Sequence, residues 1–561
     1  MEALDWLVIG VFFLALIGII VWVVRQKQND SADYFLGGRD ATWLAIGASI
    51  FASNIGSEHL IGLAGAGASS GMAMAHWEIQ GWMILILGWV FVPFYTRSMV
   101  YTMPEFLERR YNPQSRTILS VISLVSYVLT KVAVTVYAGG LVFQQVFGIK
   151  ELWGIDFFWI AAIGLVVLTA LYTIFGGMKS VLYTSVLQTP ILLLGSLIIL
   201  VLGFKELGGW DEMMRVCGAV TVNDYGDTMT NLIRSNDDAN FPWLGALIGS
   251  AIIGFWYWCT DQFIVQRVLS GKNEMEARRG TIFGAYLKLL PVFLFLIPGM
   301  IAFALHQKYI GAGGEGFLPM LENGTANADA AFPTLVAKLL PAGVKGLVVC
   351  GILAALMSSL ASLFNSSAML FTIDFYKRFR PQTSEKKLVG IGQVATVVIV
   401  ILGILWIPIM RSVGDVLYTY LQDVQSVLAP GIAAAFLLGI CWKRTSAQGG
   451  MWGLISGMVI GLTRLGAKVY YSNAGEVADS TFKYLFYDMN WLFFCGWMFL
   501  FCIIVVIVVS LATEAPTAEK IQGLVFGTAT KEQKASTRAS WNHWDIIHTV
   551  IILAITGAFY W

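Results

Sequence analysis

Seven ionisable side chains, Glu58, His59, Glu78, Lys131, Asp261, Lys288 and Asp423, interrupt stretches that are otherwise apolar. Charge in such surroundings is costly. It marks either a substrate or ion path or a buried partner that braces two helices. The densest interruption is "ASNIGSEH" at 52–59, where Asn54, Ser57, Glu58 and His59 stand in place of Leu or Val. Gly56, among small neighbours, tolerates an unwound backbone. Unwinding frees carbonyl oxygens, which persist at membrane depth only where protein or a water-lined cavity receives them. A second abrupt change comes in "FWYWCTDQF" at 255–263, where an aromatic run gives way to Thr260, Asp261 and Gln262. A third stretch, "AALMSSLASLFNSS" at 354–367, sets Ser358, Ser362 and Ser366 at i, i+4 and i+8 with Ser359 beside them. That spacing puts the hydroxyls on one helix face. The face reads as small-residue packing between helices, or as a hydroxyl ladder for a hard cation such as sodium.

The elements that must carry these groups follow from composition. Only 13% of the 561 residues are charged and 57% are hydrophobic, whereas soluble domains carry about 25% charged residues. Apolar blocks long enough to cross a bilayer as helices recur along the chain. They predict fourteen spans, near 3–25, 41–66, 77–98, 117–146, 155–175, 180–203, 242–266, 281–305, 343–372, 388–410, 415–441, 448–470, 487–512 and 543–561. The first is not a cleavable signal: Glu2 and Asp5 precede it, and Arg25 and Lys27 follow. With the N-terminus outside, the connections expected inside hold most of the basic residues, among them Arg97, Arg109, Arg110, Arg116, Lys179, Arg267 and Arg378. The outside loops keep few, such as Lys150 and Arg411. This asymmetry predicts both termini outside. Two long outside connections, about 204–241 and 306–342, read as surface loops.

Other classes fit poorly. The six cysteines have no CxxC spacing and the five histidines are scattered, so neither a disulfide framework nor a metal site is expected. A net charge of +1 gives no footprint for nucleic acid. There is no Walker motif, no signalling domain in the inside loop at 513–542, no filter motif, and no nucleophile–base pair. The sequence therefore predicts neither an enzyme nor a sensor or channel. Spans two and seven are interrupted five spans apart, the pattern of a transporter built from two inverted repeats.

The stretches "SNIGSEHLIGLAGAG", "YTMPEFLERRY", "WYWCTDQFIVQR", "YLKLLP", "LMSSLASLFNSS" and "APGIAAAFLLGICWKR" together resemble the solute:sodium symporter family. Within it they resemble the branch of sodium/glucose and sodium/myo-inositol cotransporters, from about residue 30 to about 455. The resemblance implies an all-α membrane protein of the leucine-transporter type. Its 5+5 inverted-repeat core would comprise 40–205 and 240–441, with an extra N-terminal helix in 1–30 and three more helices in 446–561. It implies a co-transported sodium ion held by the carbonyls of Ala52, Ile55 and Ala355 and the hydroxyls of Ser358 and Ser359. It implies a sugar or polyol bound by Asn54, His59, Glu78, Lys288 and Gln422, with Tyr257 as inner gate, Trp258 next to it, and Tyr418 and Tyr420 toward the outer side. The lipid bilayer is a further expected partner. "SNIGSEHLIGLAG" leans toward the inositol branch, with glucose or galactose the first expectation and another small solute, such as an anionic metabolite, an alternative. Two departures stand out. Ile79 follows Glu78 where the sugar branch has Trp. Ser185 and Ala361 stand where relatives with a second sodium site have Asp and a hydroxyl, so one sodium per sugar is expected. The compact length, without a long glycosylated loop, predicts a bacterial inner membrane. The acceptor triplet in "ENGT" at 322–325 carries little weight.

Overall fold

A computed structural model describes residues 1–26, 30–56, 58–321, 324–411, 417–473 and 478–560. Ser57, Lys27, part of the "ENGT" triplet and the side chains of Arg411, Tyr418 and Tyr420 lie outside the described residues. Helices occupy all fourteen expected stretches. Nine helices among the described residues are long and apolar enough to cross a membrane, and three shorter apolar ones accompany them. Among the described residues the strands are a two-residue pair, Glu151–Leu152 with Ile155–Asp156, antiparallel with Glu151 opposite Asp156. The long connections hold short helices, Trp210–Gly218 and Ala331–Leu339.

Several spans are not plain rods, and each irregularity has a local cause. Span two runs as Trp43–Asn54, stops at Ile55 in extended conformation (φ −79°, ψ 105°), and resumes at Glu58. Span seven runs to Thr260, breaks at Asp261 (φ −76°, ψ 127°), and continues as Gln262–Leu269 with the Asp261 side chain accepting from Phe263 N. Spans five and six form one continuous stretch, Phe157–Leu207, folded back at Gly177 with φ 53°. A side chain there would meet Tyr34 O at 2.4 Å, so only glycine fits the turn. Span eight changes pitch at Pro291, after the segment Glu274–Lys288.

Spans two and eight lie against each other on both sides of the break. Before it, Gly47 faces Phe283 and the carbonyl of Gly280. Beyond it, a Cβ added at Gly299 would stand 1.9 Å from Ala64 O. Small residues let two backbones approach this closely where burial of apolar surface gives little drive. Overpacking a tight contact costs about 1–3 kcal/mol. Gly299→Val is therefore expected to cut the yield of monodisperse protein in detergent, measured by size-exclusion chromatography. A yield equal to the parent's would contradict this contact. At the far end of the bundle, Asp5 accepts the amides of Gly343 and Gly346 at 2.7 and 2.8 Å, tying span one to the start of span nine.

Candidate functional site

The break in span two lies between span nine and a polar pocket. On one side lies span nine, the helix Val344–Met369. Ala355, Ser358 and Ser359 share a face there because residues three and four apart are helix neighbours. A Cβ placed on Gly56 would come within 3.0 Å of Ser359 Oγ, so the serine sits directly against the unwound turn. Ala52, Ile55, Ala355, Ser358 and Ser359 are all buried. Ile55 donates its amide to Phe51 O at 2.9 Å. With Ile55 extended, the helical hydrogen-bond ladder of span two ends here, and Gly56 O accepts the amides of His59 and Leu60 at 3.1 and 3.2 Å as the next helix begins.

Hydroxyls hold the surrounding helices together. Ser53 and Ser362 are 2.7 Å apart. Ser185, from span six, stands 3.3 Å from Ser358 and 3.4 Å from Ser49. Thr189 donates to Ala48 O at 3.1 Å, and Tyr172 to Met357 O at 2.9 Å. Neutral oxygens gathered round a broken helix can hold a hard cation weakly. The Ser185 hydroxyl donates to Val181 O at 2.6 Å, and Ala361 is fully buried. Among the described residues, no cluster of three or more His, Cys, Asp or Glu could hold a metal.

The other side of the break faces a polar pocket lined by Asn54, Glu58, His59, Trp77, Glu78, Gln80, Ile253, Gly254, Tyr257, Trp258, Lys288, Gln422 and Gln425. All seven predicted substrate contacts are in it. Lys288 Nζ donates to Glu78 Oε2 at 2.6 Å and to Asn54 Oδ1 at 3.3 Å. Asn54 Nδ2 donates in turn to the Tyr257 hydroxyl at 3.1 Å. His59 Nε2 lies 3.2 Å from Glu78 Oε2, near enough for an ion pair but out of line for a hydrogen bond. The Trp258 ring stands 5.4 Å from the Lys288 ammonium and packs edge-on against Tyr257 at 4.9 Å. Gln422 Oε1 and Trp77 Nε1 are buried without a hydrogen-bond partner among the described residues. Such groups are costly until something pairs with them. The open space is about 30 Å³, room for only a few waters, so the pocket must widen to admit a larger solute.

Sequence reasoning missed Gln80 and Gln425 as lining residues. Gln425 lies three positions after Gln422, and that spacing was the available signal. Gln80 turns inward because the helix Ala75–Glu78 ends at Ile79, and its amide nitrogen donates to Ser250 O at 2.8 Å. Ile79 is buried but does not line the pocket.

Comparison with known proteins adds to this geometry. Residues 34–457 match the model of the sodium:solute symporter family. The chain is 36% identical over 542 residues to sodium/myo-inositol cotransporter 2 of Homo sapiens, covering 94% of this chain and 79% of that protein. It is 36% identical over 560 residues to sodium/glucose cotransporter 4 of Danio rerio, covering 96% and 84%. Among solved structures, a substrate-bound, outward-open Na⁺-coupled sialic acid symporter superposes with a TM-score of 0.72 at 21% identity. That match covers 92% of this chain and 99% of that one. The likeness shows the fold: a multi-pass helical membrane protein of the leucine-transporter type.

Proposed function

The chain belongs to the sodium:solute symporter family, and from that premise we propose that it carries a sugar or cyclitol across the membrane together with a single sodium ion. The observation that carries this reading is the shared break. Asn54 reaches the polar pocket, while Gly56, two positions on, faces Ser359. Ion and solute would thus be read by adjacent residues of one unwound turn.

A hexose or cyclitol presents several hydroxyls, each needing a buried donor or acceptor. Glu78, Asn54, His59, Lys288 and Gln422 supply both kinds. Trp258 and Tyr257 offer rings to the C–H face. Among the described lining residues there is no arginine, and Lys288 already faces Glu78. A carboxylate substrate would lack an uncompensated cation, which favours a neutral polyol. The relatives' names, sodium/myo-inositol and sodium/glucose cotransporters, support the same class.

Sodium at Ala52, Ile55, Ala355, Ser358 and Ser359 would hold span two against span nine and prepare the pocket. By linkage, sodium raises solute affinity as much as solute raises sodium affinity. Release inward would follow movement of Tyr257. The paired breaks in spans two and seven support repeats at 40–205 and 240–441. The basic loops support an orientation with both termini outside.

Proteoliposomes offered labelled myo-inositol, glucose and galactose, with competition among them, test the substrate class. We expect one of the three to enter with close to one charge per molecule. Uptake of none, or a ratio near two, would overturn the assignment or the stoichiometry respectively.

A further inference from the structure

Beyond Tyr257 lies a second buried charge cluster that the pocket does not use. Lys131, in the irregular turn Tyr127–Val132 of span four, places Nζ 2.7 Å from Asp261 Oδ2. Tyr127 gives its hydroxyl proton to Asp261 Oδ1 and accepts the amide of Phe263 at 3.0 Å. All three side chains are buried, at 1–3% exposure. The ammonium stands 4.7 Å from the ring centres of both Tyr257 and Phe263 and 5.4 Å from that of Trp256. Asp261 is also the residue at which span seven breaks and the cap of the helix Gln262–Leu269. One carboxylate therefore both shapes the break and ties it to span four.

We propose that Lys131 is a positioning residue for transport: through Asp261 it holds Tyr257 across the path out of the pocket, and that path opens only when the pair parts. The inference rests on the reading of Tyr257 as the inner gate. Parting a buried ion pair is costly while the surroundings are dry and much less so once water reaches it. Arg267 supplies the opposing pull. Its side chain is fully buried beside Phe263, 5.1 Å from that ring, and Nε, Nη1 and Nη2 have no hydrogen-bond partner among the described residues. A guanidinium in that condition gains from water that opening admits. The pair favours the shut gate and Arg267 the open one, which is what a two-position element needs.

The test uses the full chain in proteoliposomes and the native Cys259, buried next to Trp258. Its alkylation by a membrane-permeant maleimide, followed by mass spectrometry, reports gate opening, and ²²Na⁺ influx without added solute reports leak. We expect Lys131→Met to speed both by about tenfold. The neutral pair Lys131→Met/Asp261→Asn should stay fast although its folded yield recovers. The swapped pair Lys131→Asp/Asp261→Lys should be slow again. If the neutral pair behaves like the parent while Tyr257→Ala is fast, the gate reading stands and the positioning role is overturned. If Tyr257→Ala is also unchanged, the gate reading itself falls.

Discussion

Ser359→Ala is expected to raise the sodium concentration that half-saturates uptake by about tenfold or more. A hydroxyl facing a charged partner is worth about 1.5–3 kcal/mol, and each 1.4 kcal/mol is tenfold in affinity. A Cβ added at Gly56 would stand 3.0 Å from Ser359 Oγ, so alanine removes a hydroxyl that lies directly against the break. A sodium titration of initial uptake rates measures the effect, with Gln422→Ala as its mirror. That variant should raise the substrate KM by about tenfold and, at saturating substrate, leave the sodium midpoint where it was. Full-rate, sodium-independent uptake by the serine variant would contradict the ion site.

Glu78→Gln is expected to cut uptake by about two to three orders of magnitude and to destabilise the protein. The carboxylate faces the Lys288 ammonium at 2.6 Å and the His59 ring at 3.2 Å, all within a buried pocket. Removing one partner of a buried ion pair costs about 3–5 kcal/mol because the other charge is left uncompensated. That corresponds to a loss on the order of 10²–10³-fold. Adding Lys288→Met to the variant should restore the melting temperature toward the parent's without restoring transport, because two hydroxyl-binding groups are then gone. Thermal unfolding followed by fluorescence-detected chromatography, run beside uptake, separates the two effects. Uptake by Glu78→Gln at the parent rate would remove Glu78 from the site.

Much of this arrangement was legible in the residues. A helix crossing lipid needs a long apolar run, so the fourteen stretches could be read directly. An amide and a glycine inside such a run, as at Asn54–Gly56, mark a place where helix is not obligatory, and Asp261 does the same in span seven. The structure breaks at both. What could not be read is proximity between distant segments. Lys131 and Asp261 are separated by 130 residues, and no periodicity links them. The inward turn of Gln80 depends on a helix ending at Ile79, and the close approach of Gly299 to Ala64 exists only once spans two and eight are packed. The fold-back at Gly177 joins two predicted spans into one stretch, because a glycine with positive φ reverses the chain without a loop.

The central claim is that an ion bound at the break in span two drives solute through the adjoining pocket. One charge falling through 100 mV supplies about 2.3 kcal/mol, enough for about fiftyfold accumulation. The most direct measurement loads proteoliposomes with equal labelled myo-inositol, or glucose, inside and out, and then imposes an inward sodium gradient or a matched potassium gradient. The account predicts that internal solute rises well above the medium under sodium and stays level under potassium. An unchanged level under both, or the same rise under both, would contradict it.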